Sequence, residues 1–335
     1  MKKGVIGAIL TTIIIFLTYF VLKDINFFEV YLILREINPV YISLAFFSCM
    51  LSFLLWNFRL KNSLKEIIHI SYIKLLPFLF AGFFIDMITP VSGIGGEPVK
   101  AYFLSKKYKK SKTKLLGCTL ADKFFNISVF VVFVVLSILF LIIYLNIPEN
   151  TKLILEILLL FIFLSLFFIA YLIWRKASLD VIWIIKLLYK FRFIRKKFSD
   201  LSKFENYFKK RVKNLTKLFK KVIMNRKRFY VGVFVSVLIW ALNYLVSYFL
   251  FLAFGFHVNF ISVAIVVSLG YFIGDISPVP GGIGLIEGVM FLLYSAIGIF
   301  SPLALTVVLL SRVIYYFFTI FLGGLALIYL KLKIK

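Results

Sequence analysis

The sequence predicts an all-α polytopic integral membrane protein: about six full transmembrane helices plus two re-entrant, broken-helix hairpins in inverted orientation. Three observations predict it. Hydrophobic residues fill 62% of 335 positions and mean hydropathy is +1.02, far above the roughly 45–50% apolar usage of soluble domains. Most of the apolar runs approach the roughly twenty residues that cross a hydrocarbon core. Two of them are interrupted by similar Pro/Gly-rich stretches, FIDMITPVSGIGGE at 84–97 and FIGDISPVPGGIGLIE at 272–287.

In chain order, Met1-Lys2-Lys3 precedes an apolar run at 4–22 that has no small-residue cleavage pattern, so it is expected to stay as an anchor helix. A polar link at 23–39 leads to a second span at about 40–58, then to a basic loop with Arg59, Lys61, Lys65 and Lys74. The next run, 75–85, is too short to cross. It meets Asp86, Pro90 and three glycines and returns through Pro98 and Tyr102 to a cluster of six lysines, Lys106 to Lys114. A full crossing would put that cluster opposite the 59–74 loop; a re-entrant hairpin over about 75–100 keeps both on one side. Residues 115–145 form a long span opening with Asp122-Lys123, and 153–174 a further one.

Between 175 and 228 lies a basic extramembrane region. Leu201, Phe204, Phe208, Val212, Leu215, Leu218, Phe219 and Val222 recur there at three- and four-residue spacing, with lysines on the other face, the pattern of an amphipathic helix. A span at 229–254 follows. The second hairpin, about 260–300, has apolar halves at 260–276 and 285–300 around a break at 277–284. The last span, about 303–330, contains Arg312 and ends in Lys331, Lys333 and Lys335. The whole chain, 1–335, is expected to be a single membrane domain.

Charge tests the topology independently. With both termini cytoplasmic, the 40 Lys and Arg fall on the inside except Lys23, Arg35 and Lys152, assigned outside, and Lys123 and Arg312, embedded in spans. Short basic loops resist translocation, so this asymmetry supports a multi-pass protein of the cell membrane in that orientation. It also accounts for the net charge of +26 through topology and contact with anionic lipid headgroups, without nucleic acid. Cys49 and Cys118 lie inside apolar runs and the two histidines, His69 and His257, are far apart. No disulfide, metal site or cofactor is expected.

By the same bookkeeping the hairpins enter from opposite sides. Inverted repeats with discontinuous helices that meet near the midplane are the recurrent plan of alternating-access transporters. Helix N-termini at such breaks present unpaired N–H groups and positive dipole ends to an anion. The candidate substrate-binding residues are therefore Asp86, Pro90, Gly93, Gly95, Gly96, Glu97 and Lys100 at the first break; Asp275, Pro278, Pro280, Gly281, Gly282, Gly284 and Glu287 at the second; and Asp122, Lys123 and Arg312 on the spans. Glu97 and Glu287 fit two roles equally: gates, proton-coupled groups or headgroup partners, or else N-terminal caps of the helices they open. Arg312 sits about 14 Å below the outer end of its span at 1.5 Å per residue, a depth that calls for a partner such as Asp275 or Glu287, or a lipid phosphate. Lys123 is near the cytoplasmic entrance, where it can snorkel, so Asp122-Lys123 suits a structural or headgroup-guiding role. Asn126 and Asn243 suit interhelical hydrogen bonds.

Gly96-Glu97-Pro98-Val99-Lys100-Ala101, Ala121-Asp122-Lys123 and Pro278-Val279-Pro280-Gly281-Gly282-Ile283-Gly284 followed by Glu287-Gly288 resemble the transmembrane region of the lysylphosphatidylglycerol synthase/flippase superfamily. The resemblance covers nearly the whole chain. It implies a lipid flippase-like domain, which in fused members moves an aminoacylated phospholipid between leaflets after a separate soluble domain makes it. Two departures limit what carries over. The family pattern near 121–123 is closer to Glu-Arg, and the sequence stops at Lys335, so neither an aminoacyl-transferase nor a glycosyltransferase domain is expected.

An intramembrane enzyme would need a nucleophile or a metal set at close spacing, and no such set is visible. The expectation is a non-enzymatic lipid translocase carrying an anionic or polyprenyl-phosphate-linked lipid, with membrane lipids as its partners. The alternative is a non-transporting partner that recruits or stabilises a separate lipid- or glycan-modifying enzyme through the basic 175–228 region.

Overall fold

In the computed structural model, residues 35, 37–89, 95–144, 149–174, 189 and 200–334 are described. The expected anchor at 4–22, Pro90, Gly93 and most of 175–199 lie outside them. Every element among the described residues is helical: α1 Pro39–Leu64, α2 Tyr72–Ile88, α3 Gly96–Tyr108, α4 Lys112–Tyr144, α5 Glu149–Trp174, α6 Leu201–Ile223, α7 Arg226–Ala253, α8 Phe260–Ile276, α9 Leu285–Ala296, α10 Ser301–Tyr316 and α11 Gly323–Lys333. A π turn, Phe317–Leu322, joins α10 to α11, and a 3₁₀ turn, Pro280–Gly282, lies between α8 and α9. Four stretches among the described residues are long and apolar enough to cross a membrane: α1, α4, α7 and Ser301–Lys333.

Local chemistry sets the helix ends. Asn38, Asn225 and Asn259 each turn a side-chain oxygen onto a first-turn N–H, that of Val40, Arg228 and Ile261 respectively, at 2.8–3.0 Å, satisfying donors that a helix N-terminus leaves orphaned. Asp200 caps α6 in the same way, and hydrogen bonds from Ser202 hold its carboxyl below the usual carboxylate range. Both α2 and α8 stop because a proline follows the next residue and pushes it out of the helical region. Thr89 and Ser277 are accordingly extended, with ψ of 140° and 147°. Each hydroxyl bonds back into its own helix, to the Ile85 and Gly274 carbonyls at 2.9 Å.

Beyond each break the chain folds back on itself, and glycine makes the close approach possible. A Cβ on Gly96 would lie 2.4 Å from the Gly82 carbonyl oxygen; one on Gly274 would lie 2.2 Å from Ile286 Cγ1. α2 with α3, and α8 with α9, are thus tight helical hairpins. The first opens where α1 ends, since Asn57 donates to the Tyr72 carbonyl at 2.8 Å and Tyr72 to the Leu54 carbonyl at 2.6 Å. The second opens where α7 ends and α1 begins, marked by the Asn38 N–H donating to the Ala253 carbonyl at 2.8 Å.

Basic residues gather at the first of these ends. Lys221 and Arg228 pair with Glu66 just beyond α1, Arg211 reaches Thr113 at the start of α4, and Lys107 lies over the Phe78 ring. The helix expected from the apolar spacing at 201–222 is present as α6, with Phe204, Leu218 and Val222 buried and the element laid along α4.

The structure corrects the expected basic loop at 59–74. Arg59 and Lys61 belong inside α1, where Arg59 is buried, and Lys74 belongs inside α2, so of the four only Lys65 lies between the helices.

Candidate functional site: a charged cavity where the two breaks meet

At each hairpin tip an acid pairs with a buried cation, Glu97 with Lys100 at the first and Glu287 with Arg312 of α10 at the second. At the second tip the backbone turns through Gly281, Gly282 and Gly284 at φ of 61°, 63° and 82°, a region that only glycine enters without strain. Glu287 Oε2 accepts from the Gly284 N–H at 2.7 Å, while Oε1 accepts from Arg312 Nε at 2.8 Å and from the Tyr316 hydroxyl at 2.9 Å. Arg312 also donates through Nη2 to the Gly281 carbonyl at 3.0 Å and to the Tyr316 oxygen at 2.9 Å. Its guanidinium lies over the rings of Tyr271, Tyr315 and Tyr316, 4.7–5.7 Å from their centroids, a cation–π enclosure suited to a planar, weakly hydrated cation.

At the first tip Asp86 takes the capping role across the hairpin, its Oδ1 accepting from the Gly96 N–H at 2.7 Å. Glu97 Oε1 accepts from Lys100 Nζ at 2.6 Å, with both side chains 4% exposed. Next to this pair a buried network ties three long helices together. Arg59 of α1 donates to Asp122 of α4 at 2.9 Å, to Asn126 at 3.2 Å and to Ser236 of α7 at 2.7 Å, and Trp56 Nε1 reaches Asn126 at 3.3 Å.

The tips touch. A Cβ on Gly281 would lie 2.4 Å from Met87 Cε, so the second turn is seated on the end of α2. Beside the contact opens a cavity of about 410 Å³ whose charged lining is Asp86, Lys123, Asp275 and Arg312. Aromatic walls, Trp56, Phe83, Trp240, Tyr271 and Tyr315, surround those charges. Chemically, this is a water-accessible space with two cations and two carboxylates inside an apolar bundle, large enough for a phosphate-bearing headgroup.

The sequence-derived candidates divide accordingly. Asp86, Lys123, Asp275, Gly281 and Arg312 line the cavity. Glu97, Lys100, Asp122 and Glu287 are not on its lining: Glu97 and Lys100 pair within α3, Asp122 ties α4 to Arg59 of α1, and Glu287 ties α9 to Arg312 of α10. Gly95, Gly96, Pro278, Pro280, Gly282 and Gly284 shape the turns. Of the two partners offered for Arg312, it takes Glu287. Lys123 turns its side chain to the cavity.

Residues of the site that sequence reasoning did not single out are Arg59, Trp56, Ser236 and the tyrosines around Arg312. Signals existed: Asp122 and Asn126 are one helical turn apart on one face, and Tyr316 follows Arg312 by the same interval. Among the described residues no group of three His, Cys, Asp or Glu is placed to hold a metal ion.

The family described as the lysylphosphatidylglycerol synthase TM region matches residues 5–323, and the chain belongs to that family. It is 29% identical to a UPF0104 membrane protein of Pyrococcus horikoshii over 85% of each chain. It is likewise 29% identical to one from Methanocaldococcus jannaschii over 90% of this chain and 88% of the relative, and 26% identical to one from Methanothermobacter thermautotrophicus over 88% and 87%.

Proposed function

We propose that this member of the lysylphosphatidylglycerol synthase TM-region family is a lipid translocator, moving an anionic or polyprenyl-phosphate-linked lipid between leaflets through the cavity where the two breaks meet. The observation that carries the reading is the cavity itself. Ionisable side chains inside a membrane-spanning bundle are costly, and they persist where they line a water-filled path or pair with one another. The Glu287–Arg312 and Arg59–Asp122 pairs meet the second description; the cavity wall, which carries Asp86, Lys123, Asp275 and Arg312, meets the first.

In this reading the two hairpins are re-entrant, enter the bilayer from opposite faces and are related as inverted repeats. The basic end of the bundle is cytoplasmic. Lys123 and the cavity edge of Arg312 take the phosphate, while Asp86 and Asp275 keep the empty cavity close to neutral. The chain performs no covalent chemistry on the lipid.

Leaflet exchange tests this directly. Headgroup-labelled phosphatidylglycerol and a labelled polyprenyl phosphate are followed in parallel, in vesicles carrying the purified protein. The expected result is protein-dependent exchange of one of them, reduced at least about tenfold by Lys123→Gln, a half-buried position whose loss leaves thermal stability unchanged. Exchange of neither lipid by folded protein, with a proton gradient also imposed, would overturn the reading in favour of a partner that recruits an enzyme through the basic face of α6.

A further inference from the structure

The acids at the first tip outnumber their buried counter-charges. Asp86, Glu97 and Asp122 are 9%, 3% and 4% exposed; the cations buried with them are Arg59 and Lys100, each 3% exposed. Asp122 is committed to Arg59. Glu97 is only half committed: Oε1 takes Lys100, whereas Oε2, fully buried, has no hydrogen-bond partner among the described residues. A buried carboxylate oxygen that no protein donor reaches is costly, and a proton on that carboxyl removes its charge.

We propose that Asp86 and Glu97 together form a proton site whose occupancy is set by the anion bound in the cavity. This rests on the translocator reading for the anion but not for the proton. Asp86 lies on the cavity wall and accepts from the Gly96 N–H at 2.7 Å, one residue before Glu97 on α3. The groups facing the pair are Lys100 from α3, Asp122 and Lys123 from α4 and Arg59 from α1; Asp275 and Arg312 lie across the cavity. Lys123 shares the cavity wall with Asp86 and is also a cation a phosphate would engage. An anion that draws Lys123 to itself leaves Asp86 with less positive charge on that wall. A proton from the aqueous cavity then joins a carboxylate oxygen, and the anion enters with its charge offset by one. Release of the anion returns Lys123 to Asp86 and expels the proton to whichever side the cavity then faces. Lipid movement is thereby coupled to proton movement.

Two measurements on the full chain in detergent test this. The first needs no lipid: infrared titration of the carboxylic-acid C=O stretch. A band is expected that titrates in the wild type, is lost in both Asp86→Asn and Glu97→Gln, and in Lys123→Gln shows proton affinity raised about tenfold, one pH unit. Gln at 97 can still accept from Lys100, which guards against simple misfolding, and circular dichroism checks it. A band that survives both acid substitutions, no titrating band at all, or an unmoved midpoint in Lys123→Gln would overturn the proton site.

The second adds a short-chain phosphatidic acid in weak buffer with a pH indicator, binding being measured separately. Uptake of about one proton per lipid bound, absent in Asp86→Asn that still binds, is expected. Binding without uptake in the wild type would overturn the coupling. Absence of binding would count against the proposed function, while the first measurement still decides the proton site.

Discussion

At the scale of single residues, the energetics turn on charges that are paired because they are buried. Breaking such a pair by removing one partner costs about 3–5 kcal/mol, whereas replacing both with apolar groups is often neutral. Arg59→Ala should therefore destabilise the protein by roughly that amount in thermal unfolding in detergent, and Arg59→Met with Asp122→Leu should recover most of it. Arg312→Lys should restore charge but not stability, since a single ammonium cannot reproduce contacts made separately through Nε and Nη2. Gly281→Ala meets two obstacles, a φ of 61° and Met87 Cε at 2.4 Å. The left-handed backbone alone costs about 1–2 kcal/mol. Adding Met87→Ala should relieve only the contact, so the double-mutant cycle separates strain from crowding.

Sequence comparison of the two breaks, judged by residue type, pairs Asp86 with Asp275. Aligned on Pro90 and Pro278, the acids are offset by one position, which on a helix is about 100° of rotation. That offset explains their different fates: both line the cavity, but Asp86 is buried and caps Gly96 within its hairpin, whereas Asp275 is exposed. Gly274 occupies the place equivalent to Asp86, pressed against Ile286.

Among elements, the amphipathic α6 was legible from its three- and four-residue apolar spacing, because one buried face is enough to impose that period. What it docks on was not legible. It lies along α4 at a glycine, Gly117, whose Cβ would come within 2.5 Å of the Leu215 carbonyl oxygen. Gly117→Leu should push α6 off α4 without unfolding α4 itself. Faster cleavage by trypsin within 203–221, with the remainder of the chain protected, is the expected readout; unchanged cleavage would mean that α6 is held elsewhere. The helix ends were legible too, from Asn caps and from the residue before each proline, since both effects act within one turn. The burial of Arg59 within α1 was not, because the acid it pairs with, Asp122, is on another helix.

For the molecule as a whole, contacts put the α3–α4 corner at one end of the bundle and the α7–α8 corner at the other. Native thiols do not interfere, both cysteines being buried. Ser111→Cys and His257→Cys, each exposed, should react with a membrane-impermeant maleimide from opposite faces of sealed vesicles, with Ser111→Cys labelled from the cytoplasmic face. Labelling of both from one face would overturn the arrangement of the hairpins across the bilayer.

By itself the sequence determined the membrane setting, the helical class, the family and the two breaks, together with most helix boundaries. Those are set by composition, by apolar run length and by prolines, glycines and caps acting on their immediate neighbours. The tertiary structure alone decided which charges pair, which acids line the cavity, and that Met87 seats the second break. Ion pairing in a low-dielectric bundle is governed by separations of a few ångströms between helices distant in the chain, and no spacing along the sequence encodes them.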